Sequence, residues 1–110
     1  MKKYKLTIRI AGNTEAPVLS VIKGKGYKME YYVYFDEDTN DYSYFYNAEK
    51  DGRRFSASNA EELLGLIAMW EVRGDDWRGK KDDFELLDYI HDAGILYDTD
   101  GNIIRKYKKQ

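Results

Sequence analysis

Three kinds of side chain in this sequence could carry chemistry: a lone imidazole, two runs of carboxylates and an excess of phenols. His91 stands beside Asp92, but triad catalysis needs a nucleophile and an orienting acid converging on the ring, and no nucleophile stands out. Near the end of a helix an imidazole already gains from the macrodipole, so His91 reads as structural. Asp36, Asp38 and Asn40 begin like a calcium loop, and so do Asp98, Asp100 and Asn102. That loop requires glycine at its sixth position and glutamate at its twelfth; these runs carry Asp41 and Asn47, or Ile103 and Lys109. Both read as turns whose Asp and Asn side chains bond their own backbone. No catalytic set, metal or cofactor is expected.

Glu71 raises a different question. At helical spacing it falls between Ile67 and Trp70 on an apolar face, where an unpaired carboxylate is costly. Arg53, Arg54 and Arg73 are candidate partners for a structural ion pair, the preferred reading. The alternative is a small-molecule pocket between sheet and helix, with Glu71 beside Trp70, Trp77 and Tyr31.

The phenols are the main functional clue. The chain has 11 Tyr against 4 Phe, and Tyr combines a flat apolar body with a polar tip that suits contact surfaces. Tyr42, Tyr44 and Tyr46 share one side of a strand and are expected to point inward. Tyr32 and Tyr34 are then the candidates for an exposed side, with Asp36 and Asp38 in the acidic turn that follows.

The elements that must position these groups are readable from periodicity. The stretch from Ser58 to Gly74 opens with a capping pattern, Ser58 with Glu61 or Asn59 with Glu62, and closes on a glycine stop. Ala60, Leu63, Leu64, Ile67 and Trp70 mark its apolar face. Leu66 and Met69 fall outside that face, which predicts a central helix buried on more than one side. Alternation predicts strands over 4–10, 27–35, 42–47 and 53–56, the last three as a meander joined by a polar turn and by Asp51-Gly52. Residues 14–23 admit two readings, a short helix stopped by Gly24 and Gly26, which is favoured, or an edge strand suited to their β-branched content. Asp82 with Glu85 caps a second long helix carrying Phe84, Leu87 and Ile90 to a stop at Gly94. Segments 95–97 and 103–107 flank Asp100-Gly101 as a closing hairpin, and 108–110 reads as frayed. The result is a single α+β domain over 1–110. Its antiparallel sheet comprises the N-terminal strand, the central three-strand meander and the C-terminal hairpin, packed on two long helices and one short helix.

Composition sets the remaining bounds. Charged residues make up 35% of the 110 residues, with both signs interspersed and a net charge of -2, so nothing acts as bait for nucleic acid or an anionic membrane. Lys25-Gly26-Tyr27 opens like an RNA-recognition signature, but Lys28, Met29 and Glu30 depart from it. No apolar run approaches the ~20 residues of a membrane span. The absence of cysteine fits a reducing, cytoplasmic location. In size, acidity and lack of cysteine the chain resembles small bacterial immunity and inhibitor proteins, a likeness that transfers no residues. The expectation is a non-enzymatic module that binds another protein through a Tyr-rich sheet face and acidic loops. Self-association stays open, because segment 103–107 could be an edge strand with a Lys-rich flank that discourages uncontrolled pairing.

Overall fold

A computed structural model describes residues 3–106. In chain order the elements are α1 (Glu15–Gly24), β1 (Lys28–Asp36), β2 (Asp41–Lys50), β3 (Arg53–Ala57), α2 (Ala60–Arg73), α3 (Lys81–Asp92), β4 (Ile95–Tyr97) and β5 (Ile103–Lys106). This is an α+β fold with three helices and two antiparallel sheets among the described residues. The chain divides after Asp75 into two compact units.

The first unit is built on the meander β1-β2-β3. Its second turn is dictated locally. Asp51 and Gly52 both take positive φ (52° and 76°), which a two-residue hairpin turn requires and which Asp and Gly tolerate. The pairing Lys50↔Arg53 follows, and with it Ala48↔Phe55 and Tyr46↔Ala57. Across the first hairpin Met29 pairs with Ala48, Tyr31 with Tyr46, Val33 with Tyr44 and Phe35 with Tyr42. Because side chains alternate along a strand, all these residues lie on one side of the sheet.

That side meets the helices only at one end. Ile22 of α1, Leu63 and Ile67 of α2, and Tyr27 and Ala48 form the buried cluster. Val18, Met29, Tyr46, Phe55, Ala57 and Leu64 pack around it. Ile22, Leu63 and Ile67 are 0% exposed, and each buried aliphatic of this size contributes about 1.5–3 kcal/mol. Phe55 joins the layers, edge-on to Tyr27 at 5.9 Å and to Trp70 at 5.7 Å. At the start of α2 the Asn59 side chain accepts from the Glu62 amide at 2.8 Å; at its end Gly74, with φ 77°, donates its amide to the Trp70 carbonyl.

The structure departs from three expectations. Residues 4–10 form no strand: Tyr4, Leu6, Ile8 and Ile10 keep their alternation but are 74–77% exposed and outside both sheets. Alternation defines two faces without naming a partner, and a strand needs a ladder. The C-terminal hairpin does not extend the meander but makes a sheet of its own. And α2 is buried on one side: Leu66 and Val72 are exposed, and only Ala60, Leu63 and Ile67 are fully covered.

In the second unit α3 is capped by Lys80 with Asp83, whose carboxylate accepts the Lys80 amide at 2.8 Å, two residues earlier than the pair Asp82 with Glu85 implied. Phe84, Leu87 and Ile90 share its apolar stripe and are all exposed. The hairpin β4-β5 pairs Ile95↔Lys106 and Leu96↔Arg105. Its turn is organised by Asp98, whose carboxylate accepts the amides of Asp100 and Asn102 at 2.9 and 2.8 Å and is thereby held below its ordinary pKa. The expected strand end at Tyr107 and the 108–110 tail lie outside the described residues.

Candidate functional site

The helices cover the end of the β1-β2 ribbon nearest Met29 and Ala48, leaving the other end bare. Tyr31, Val33 and Phe35 of β1 and Tyr42 and Tyr44 of β2 are all exposed, on the same side as the core. Tyr31 stacks on Tyr44 (6.2 Å between ring centres, 17° between planes), and Phe35 leans on Tyr42 at 4.9 Å. Such offset packing fixes ring orientation before any partner arrives. The plate is anchored at its inner end, where Tyr31 meets Tyr46 at 4.9 Å and the Tyr46 hydroxyl donates to the Glu15 carboxylate of α1. That bond holds the phenol in its neutral form and pushes its pKa up to about 12.

The inward face assigned to Tyr42, Tyr44 and Tyr46 is the one observed, but only Tyr46 is partly covered. Which of the three is covered depends on where α1 and α2 meet the ribbon, and strand alternation carries no signal of that.

The opposite side carries Tyr32 and Tyr34. Their rings meet edge-on at 5.6 Å, and Tyr34 does the same with Phe45 at 5.9 Å. Tyr32 is half-buried and Tyr34 exposed. Asp36 ends β1 and turns its carboxylate back to the Asp38 amide at 2.9 Å, so the acidic loop is ordered by its own side chains. Glu37, Asp38 and Asp41 share this tip, and all are exposed.

Farther along the same side is a feature that periodicity gave no reason to expect. Asn47, in the middle strand, is 3% exposed, and neither its Nδ2 nor its Oδ1 has a hydrogen-bond partner among the described residues. It borders a polar cavity of about 200 Å³ lined by Lys28, Glu30, Glu49 and Arg54.

Each residue grouped as a pocket has its own contacts within its unit. Glu71 pairs with Lys25 at 2.7 Å, a partner not among the arginines anticipated. Trp70 packs on Phe55 and beneath Arg53, while Tyr31 belongs to the aromatic plate. Trp77 lies in the second unit with the Arg78 guanidinium 5.1 Å from its ring centre. His91 is exposed in the last turn of α3.

No protein-family model, curated protein or solved structure matches the chain. What the arrangement offers is therefore read from its own chemistry. It presents ordered rings with hydroxyl tips and a carboxylate-rich end. No group of three or more acidic, His or Cys side chains that could hold a metal occurs among the described residues, nor any helix long and apolar enough to cross a membrane.

Proposed function

We propose that this chain is a non-enzymatic protein-binding module whose contact surface is the bare end of the β1-β2 ribbon. The observation that carries the reading is the contiguous exposure of Tyr31, Val33, Phe35, Tyr42 and Tyr44 on one side of two paired strands. Aromatic side chains that remain in water beside a formed core cost solvation free energy, and a plate of them is the usual anchor of a protein interface. Tyr32, Tyr34 and Phe45 extend it around the ribbon. The carboxylates of Asp36, Glu37, Asp38 and Asp41 at the tip favour a partner whose apolar patch is rimmed by Lys or Arg. An immunity- or inhibitor-type role, in which the ribbon occludes a basic surface of another protein, is the version of this reading that the acidic tip suits best.

The test is site-specific photocrosslinking in the source cells, with the photoreactive residue at Val33, at Tyr44 or, as control, at Glu62 on α2. A discrete crosslinked protein from positions 33 and 44 but not 62, lost with Phe35→Ser, supports the reading. Equal labelling from all three positions, or none, overturns it.

A further inference from the structure

Residues 4–10 and the outer edge of β1 are both without a strand partner among the described residues. β1 pairs with β2 on one side, and its other edge carries no ladder among the described residues. At nine residues it is the longer of the two edges of this sheet; β3 at the other edge has five and lies beside α2. A long edge with no proline or bulge is a template for an added strand. The segment 4–10 carries the alternation of such a strand without forming one, Tyr4, Leu6, Ile8 and Ile10 interleaved with Lys5, Thr7 and Arg9, and all seven side chains are exposed.

We propose that the segment 4–10 of one copy adds antiparallel to β1 of a second copy, so that two chains exchange strands reciprocally. One register satisfies both faces together. It sets Ile10 beside Met29, Ile8 beside Tyr31, Leu6 beside Val33 and Tyr4 beside Phe35, apolar against apolar throughout. On the other side of the sheet the same register sets Arg9 opposite Glu30, a cross-strand pair of opposite charge. A two-fold operation makes both exchanges identical, so the assembly closes as a dimer instead of growing into a fibre. The occupant is a second copy because the segment is part of every chain and matches the edge in length, alternation and charge. The inference concerns the edge of β1 and does not rest on the heterologous contact proposed above.

The experiment is light scattering after size exclusion, from about 1 µM to about 1 mM chain, on the full protein and on Ile8→Pro, Arg9→Glu, Glu30→Arg and the double variant Arg9→Glu/Glu30→Arg. The expected result is a dimer that Ile8→Pro and each single charge reversal weaken at least about tenfold and that the double reversal restores. Residue 8 lies in no helix or strand, so the Ile8→Pro melting curve at low concentration should match the parent's. A chain that stays monomeric throughout overturns the proposal, as does a dimer indifferent to Ile8→Pro. Amide protection of 4–10 that does not vary with concentration would place the pairing within one chain and overturn it equally. The crosslinks from positions 33 and 44 to another protein are a separate readout and can survive that failure.

Discussion

Trp70 and Asp75 are joined by an indole N–H that donates to Oδ1 at 2.8 Å, and the same carboxylate receives Arg53 through Nε at 3.0 Å and Nη2 at 2.7 Å. The fork ties the end of α2 to the first residue of β3, with the guanidinium 5.3 Å from the Trp70 ring centre. The Arg53 hydrogen bonds, and after them the Trp70 bond, hold the Asp75 carboxyl at about 2, below its ordinary 3.8. A carboxyl whose folded pKa lies below its unfolded one stabilises the fold above the unfolded value and ceases to as pH falls through the folded one. Indole emission in a Trp77→Phe background should therefore change between about pH 4 and pH 2, and Asp75→Asn should abolish that step. A step that persists in Asp75→Asn would assign it to another group.

The bond between Tyr46 and Glu15 has the opposite sign. The phenol is raised from 10.0 to about 12, chiefly by that bond, so its contribution is intact below pH 10 and is lost as pH rises toward 12. Melting temperatures across this alkaline window should fall more steeply for the parent than for Tyr46→Phe, which never had the bond to lose. Parallel slopes would show that the contact does not persist in solution.

Asn47 is a polar side chain at a covered position of the middle strand. Leaving a buried amide unsatisfied costs about 1–3 kcal/mol, and valine fits a strand of this kind without that cost. Urea unfolding should show Asn47→Val more stable than the parent by about 1 kcal/mol. A loss of comparable size would mean that the amide is engaged by its neighbours, with the cavity among Lys28, Glu30, Glu49 and Arg54 the place to look.

The meander was legible because its turn chemistry is explicit: Asp51-Gly52 can take two positive φ angles in succession, and once that turn closes, alternation assigns every side chain of β2 to a face. The cap of α2 was legible for a similar reason, since Asn59 and Glu62 are three residues apart and need nothing distant. What stayed hidden depended on distance along the chain. Periodicity showed that Glu71 needed a cation, but the Lys25 that supplies it lies 46 residues away. It placed Tyr44 and Tyr46 on one side of the sheet, yet where the helices stop decides that one is exposed and the other half-covered. It could not show that segment 4–10 would find no ladder within the described chain, because alternation is the same whether a strand is paired or waiting.

The one-sided burial of α2 gives the sharpest test of where the first unit's free energy resides. Leu63 and Val72 are both aliphatic and both in the helix, but Leu63 is fully enclosed by the core and Val72 is 87% exposed. Leu63→Ala removes buried methyl groups and leaves a cavity, so it should cost about 3 kcal/mol. Val72→Ala gives up almost no burial and gains helix propensity, so it should stay within about 0.5 kcal/mol of the parent. Denaturant unfolding followed through Trp70, again with Trp77→Phe, reports the first unit by itself. A Val72→Ala cost approaching that of Leu63→Ala would mean that this face of α2 is covered in solution, by a second copy or another chain, and that the helix has the two buried sides its sequence implied.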